Sequence, residues 1–129
     1  SSASDTILVQ INPRERADVP RSAADILNRL NEISFNASLM KEIRMIALLR
    51  QVADPGSGEG ARWAGMRTHR IMTEMLSELG ASSKLNAEWD FVSLLCDEGR
   101  RAAAAFLDQH GSDIGARSTA DIDVLLSEC

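Results

Sequence analysis

Between Ser22 and Asp54 the chain contains neither proline nor glycine, and no other feature restricts its fold as much. Within that run Ala23, Ile26, Leu27, Leu30 and Ile33, then Ala37, Met40, Ile43 and Ala47, recur at three- and four-residue spacing. This is the period of one helix face. A break near Ser34 to Asn36 would give two nearly collinear helices, since Ser and Asn side chains compete for backbone hydrogen bonds. With no breaker present, the run predicts one continuous helix. Ser22 followed by Asp25 has capping-box spacing, with Asp in place of the longer Glu or Gln. At the other end DPGSGEG, Asp54 to Gly60, removes helix support and predicts a loop.

The middle of this helix is apolar on more than one face, because Met40 and Met45 stand among Leu39, Ile43, Ile46, Leu48 and Leu49. Such a helix is normally covered on both sides, here by a sheet and by the C-terminal helices or a second subunit. The rival reading is an interfacial helix or lid in which flexible Met side chains meet a lipid surface.

Two short segments flank the helix. Asp5 to Ile11, DTILVQI, is a nearly unbroken apolar run rich in β-branched residues, which predicts a strand buried on both faces of a parallel sheet. Asn12-Pro13 would end it. Met66 to Ile71, MRTHRI, alternates weakly and is read as a second strand. The three elements make a β-α-β unit, expected to be right-handed, with the second strand near the sheet's edge. After Ile71 the pattern is helical: Met72 to Leu79, stopped at Gly80; Asn86 to His110, with Trp89, Val92, Leu95, Cys96, Ala103, Phe106 and Leu107 on one face; and a short terminal helix over Ile122, Val124, Leu125 and Leu126, capped by Ser118 and Asp121. Gly99 inside the second of these costs about 1 kcal/mol relative to Ala, which suggests close packing or a kink. The expected class is therefore α/β, mostly helical: a β-α-β crossover from the edge of a parallel sheet over residues 5–71, then a C-terminal helical cap over 72–129.

Composition narrows the functional classes. A formal net charge of −5 disfavours a sequence-independent grip on nucleic acid phosphates, which needs clustered cations. No apolar run approaches the roughly 20 residues that span a bilayer, and the Ser-rich start lacks a signal-peptide pattern. A cytoplasmic location, peripheral to a membrane at most, is expected. Cys96 and Cys129 are too few for a disulfide scaffold and suggest a reducing compartment. Residue 1 is Ser and not Met, so the chain is read as truncated or processed.

Few residues invite chemistry. His69 lies between Arg67 and Arg70 with Trp63 nearby, a group that could meet an acidic headgroup or phosphate. The plainer reading, an exposed edge strand defended by charge, is favoured. His69, Cys96, His110 and Cys129 stand at separations that match no common metal-ligand spacing. Asn28, Asn31, Asn36 and Ser38 are either solvated or fix contacts with a neighbouring segment. Trp89 and Phe91 fall within helical periodicity and are read as core anchors.

Three blocks give the chain a resemblance. INPRERADVPRSAADILNRLNEISFNASLMKEIR from Ile11 to Arg44, ARWAGMRTHRI from Ala61 to Ile71, and GASSKLNAEWDF from Gly80 to Phe91 resemble segments downstream of the catalytic aspartate motif in bacterial patatin-like phospholipases. These enzymes work with a Ser-Asp dyad, the serine on a Gly-x-Ser-x-Gly turn and the aspartate in Asp-Gly-Gly or Asp-Gly-Ala. Neither motif is present. Around Ser57, Pro55 and Glu59 hold the positions that need glycine, and Asp54, Asp97 and Asp113 are followed by Pro55, Glu98 and Ile114.

No catalytic, cofactor-binding or metal-ligating residue is therefore assigned. The resemblance implies the C-terminal, non-catalytic portion of a lipid acyl hydrolase that uses no cofactor. Its main partner would be the N-terminal catalytic half of the same protein, with a lipid or membrane surface and a second copy as further partners. The alternative is a non-enzymatic interaction module that binds a partner helix or membrane surface through its long helix.

Overall fold

The computed structural model describes residues 4–11, 19–56, 58–73, 75, 79 and 86–127. In chain order they form β1 (Asp5–Gln10), α1 (Ala23–Val52), α2 (Gly58–Ala64), β2 (Arg67–Met72), α3 (Trp89–His110), a 3-10 turn (Gly111–Asp113) and α4 (Ile122–Ser127). The class is mixed α/β, mostly helical, with a two-stranded parallel sheet and one long helix.

The proline- and glycine-free run folds as a single helix of 30 residues. Its capping box is complete: Ser22 Oγ accepts from the Asp25 amide at 3.1 Å and Asp25 Oδ2 accepts from the Ser22 amide at 3.2 Å. That satisfies two of the amides a helix start leaves unpaired. α1 stops at Val52, and the Gly56 amide then donates to Asp54 Oδ1 at 2.9 Å in a side-chain-closed turn. The expected loop ends sooner than Gly60, because α2 begins at Gly58 and carries a Glu59–Arg62 ion pair at 2.9 Å one turn apart. The glycines had masked this helix.

β1 and β2 pair in parallel, Asp5 opposite Arg67 through Gln10 opposite Met72. The Arg67 amide donates to Ser4 O at 2.8 Å, so backbone alternation points Thr68 away from β1. That outer edge is closed by the segment before α4. The Thr68 amide donates to Ser118 Oγ at 3.1 Å, Thr68 O accepts from the amides of Thr119 and Ala120 at 3.0 Å each, and the Thr68 hydroxyl donates to Ala120 O at 2.6 Å. β2 is thus an edge strand with a covered edge, while no described strand pairs with the other side of β1.

The sheet has one covered side and one half-covered side. Thr6, Leu8 and Gln10 share a face with Thr68, Arg70 and Met72. There Leu8 packs on the core, formed by Ile43 and Ala47 of α1 with Ile122 and Leu125 of α4. On the other face α3 sets Phe106 edge-on to His69 of β2, ring centroids 6.0 Å apart. The neighbouring β1 residues Ile7 and Val9 remain 44% and 62% exposed. The expectation that β1 is buried on both faces is corrected: α3 reaches only over β2.

Four further expectations change. Met72 closes β2 and does not open a helix; the stretch predicted to continue to Gly80 lies outside the described residues apart from Thr73, Met75 and Leu79. α3 starts at Trp89, after Asn86 Oδ1 accepts from the Glu88 amide at 3.0 Å. Trp89 is no core anchor, being 78% exposed, because α3 meets the fold through its later turns around Phe106; Phe91 is half-buried. The cap of α4 is Asp121 alone, whose Oδ1 accepts from the Asp123 amide at 2.8 Å, since Ser118 is engaged with β2.

Candidate functional site

The densest polar chemistry gathers around Asp5, the first residue of β1. Parallel register sets Asp5 beside Arg67, and alternation brings His69 onto the same face. Asp5 Oδ1 accepts from Arg67 Nε at 2.9 Å and Oδ2 from Arg67 Nη2 at 2.9 Å, a bidentate pair. Oδ1 also accepts from the Gly115 amide at 2.9 Å and from His69 Nε2 at 3.1 Å. Gly115 can present its amide there because it sits at φ 82°, where a side chain would be strained. These donors, Arg67 foremost, then Gly115 and His69, hold the Asp5 carboxyl well below the usual carboxylate range. Its hydrogen bonds, and then its charge, raise the Arg67 guanidinium in turn.

His69 is 1% exposed. An ionised carboxylate only accepts, so Nε2 carries the ring proton that meets Asp5. Nδ1, the other ring nitrogen, lies 2.9 Å from the Thr119 hydroxyl. Phe106 covers the ring on one side and packs on His110 on the other, at 5.4 Å between centroids. His110 Nδ1 stands 3.1 Å from Asp113 Oδ2, and Arg117 pairs with the other oxygen of Asp113. Hydrogen bonds from His110 and Arg117 keep the Asp113 carboxyl low against the opposing effect of burial.

The groups run hydroxyl, imidazole, carboxylate: Thr119, His69, Asp5. In a hydrolase that order lets the imidazole take a proton from a nucleophile while the carboxylate fixes its tautomer. Here the imidazole is sealed from solvent and the carboxylate is committed to Arg67 and Gly115 as well. The arrangement orients protons and ties three parts of the chain together: β1, β2 and the segment from Gly115 to Thr119. On the opposite side of the sheet Arg70, Met72, Thr119, Asp121 and Leu125 line an open cavity of about 310 Å³.

Neither reading of His69 from the sequence survives. Arg67 faces Asp5, Arg70 lies on the other face of the sheet, and Trp63 stacks under Arg62 at 5.6 Å in α2, so no joint cationic patch forms. Nor is His69 on an exposed edge, because Ser118 to Ala120 cover it. The alternating pattern gave no hint of this cover, which comes from residues 50 positions later. His69 and His110 approach each other only through Phe106, Cys96 is exposed, Cys129 lies outside the described residues, and among the described residues no three acidic, His or Cys side chains converge on a metal-sized site. Of the polar residues on α1, Asn31 and Ser38 are exposed and Asn28 and Asn36 half-buried.

Sequence reasoning missed Asp5, Phe106, Asp113, Gly115 and Thr119. One signal was available: His110, Asp113 and Arg117 stand three and four apart, the spacing of partners on one helical turn. Among the described residues no helix is long and apolar enough to cross a membrane. No family model, curated protein or solved structure matches the chain.

Proposed function

We propose that the chain is the C-terminal, non-catalytic portion of a patatin-like lipid acyl hydrolase, supplying an edge strand pair, the crossover helix and a helical cover to a sheet whose catalytic serine and aspartate lie upstream. The observation that carries this reading is the asymmetry of the two strands. The outer edge of β2 is closed by Ser118 to Ala120. No described strand pairs with the other edge of β1, and Ile7 and Val9 are exposed on the face they share with His69.

Parallel sheets are ordinarily covered on both faces. A further strand beside β1, with its own helix over Ile7 and Val9, completes that arrangement. The sequence blocks at 11–44, 61–71 and 80–91 point to the family that would provide them, and the absence of a Gly-x-Ser-x-Gly turn here assigns the nucleophile to that other part. The Asp5–Arg67–His69–Thr119 network then serves as the lock that holds β1 in register at the border between the two halves.

The test compares two polypeptides in ester and phospholipid hydrolysis. Residues 1–129 alone should show no turnover and no labelling by a fluorophosphonate. The polypeptide extended through the preceding reading frame should hydrolyse phospholipid and lose the activity when the serine of its Gly-x-Ser-x-Gly turn becomes alanine. Turnover by residues 1–129, or a preceding frame without that turn and without Asp-Gly-Gly or Asp-Gly-Ala, would overturn the proposal.

A further inference from the structure

Helix α1 has two apolar faces, and the fold uses one. Ile43 and Ala47 are buried, and Leu39, Met40 and Ile46 pack beside them against α4 and β1. At about 100° per residue the opposite side presents Leu27, Leu30, Met45 and Leu48, with Ala23 and Val52 at its ends. Leu27, Leu30, Met45, Leu48 and Val52 are between 55% and 69% exposed. This is the second apolar face that the sequence shows and nothing among the described residues covers.

Its order is self-complementary. Leu27 and Leu48, Leu30 and Met45, Ser34 and Lys41, and Ala23 and Val52 are each placed symmetrically about the point between Ala37 and Ser38. Turned end to end, Leu27 and Leu30 meet Leu48 and Met45, large on large, while Ser34 meets Lys41 and Ala23 meets Val52. The small residues Ala37 and Ser38 fall at the midpoint of such a pair, with Ser34 and Lys41 on either side and the large apolar residues beyond them. An isologous contact has this requirement, that the same patch fits itself after a two-fold rotation.

We infer that α1 pairs antiparallel with α1 of a second copy through this stripe. Charge selects the orientation. In a parallel, in-register pair Lys41 would face Lys41, a like-charge contact in the seam; antiparallel, Lys41 faces the small Ser34 and the two ammonium groups stand apart by roughly 10 Å, seven residues of helix rise. A 30-residue seam packed along its length buries on the order of 800 Å² per partner, the size of a standard stable interface.

The stripe lies on the side of α1 away from β1, so it is available whether or not the open edge of β1 is occupied. The pairing goes beyond the hydrolase reading and does not depend on it.

Sedimentation of the chain in a Cys96→Ser, Cys129→Ser background tests it. A dimer is expected at micromolar concentration, weakened about tenfold or more by Leu30→Lys and by Met45→Lys, with the helical circular dichroism unchanged because both side chains are exposed. Orientation is read separately: Leu27→Cys mixed with Leu48→Cys should form a disulfide-linked dimer, and Leu27→Cys alone should not. A chain that stays monomeric at tens of micromolar, a dimer indifferent to both lysine substitutions, or self-linking of Leu27→Cys would overturn the inference. So would Leu30-dependent flotation of a monomer on phosphatidylglycerol vesicles, which would give the face to a membrane.

Discussion

Asp5 Oδ1 accepts from His69 Nε2 at 3.1 Å across 64 positions of sequence, and the same carboxylate holds Arg67 and the Gly115 amide. It joins β1 to β2 and to the segment that closes the edge of β2. Asp5→Asn keeps the shape, yet removes the charge that Arg67 and His69 face and puts an amide donor among donors. The expected outcome is a thermal midpoint lowered by several degrees and faster amide exchange in β1 and at Gly115. As a control, Asp97→Asn, which breaks an exposed ion pair with Arg100 at 3.3 Å, should leave both unchanged.

Acid sensitivity follows from the carboxylates that the fold holds ionised. Asp5 lies well below its ordinary range through Arg67, Gly115 and His69. Asp25 is lowered by Ser22, Asp113 by His110 and Arg117, and Glu98 to about 2 by hydrogen bonds from Arg101 and Thr73. Unfolded carboxyls titrate near pH 4. Between that value and the folded pKa the unfolded chain binds more protons, so stability is fully present above roughly pH 5 and is lost as pH falls. Urea midpoints measured from pH 7 down to pH 2 should be flat at first and then drop, and Asp5→Asn should make the drop shallower. A curve that rises on acidification would contradict the assignment.

Phe106 packs α3 against the sheet. It is buried, meets His69 edge-on and packs on His110. Phe106→Ala is expected to cost about 3 kcal/mol in urea unfolding, at the lower end for such truncations because α3 is otherwise lightly packed. Phe106→Leu, which keeps most of the volume, should cost less than half of that. Exposure of His69 gives an independent readout: its ring proton should exchange faster in the alanine variant.

How much of this was legible depended on distance along the chain. The capping box at Ser22 and Asp25, the unbroken α1 and the parallel partnership of DTILVQI with MRTHRI rest on local spacing and topology, and all were readable, the second strand to within one residue at each end. α2 was hidden because Gly58 and Gly60 read as breakers, although Glu59 and Arg62 were already at helical spacing. The site was hidden for a different reason. Whether His69 is an exposed defender of an edge or a buried ring depends on Ser118 to Ala120, and no periodicity within MRTHRI reports that. Trp89 failed in the same way: its helical phase was right, but phase does not say whether a neighbour exists. The double apolar face of α1 was plain in the sequence, whereas the fold was needed to tell which face is covered.

Two glycines in helices are expected to respond in opposite directions to the same substitution. At Gly99, within α3, an added Cβ meets nothing within 4 Å among the described residues, so close packing is not what keeps it there. Gly99→Ala should therefore stabilise the chain by about 0.5–1 kcal/mol, the helix-propensity difference alone. At Gly60, in the first turn of α2, the added Cβ would fall 2.0 Å from the backbone oxygen of Asp54, an atom fixed by the turn that ends α1. Alanine gains the same propensity there and loses more to the clash, which only a shift of the α1–α2 connection can relieve. Gly60→Ala should lower the urea midpoint and raise amide exchange at Gly56, whose hydrogen bond to Asp54 closes that turn. Equal effects of the two substitutions would mean that the turn is not held as the structure has it.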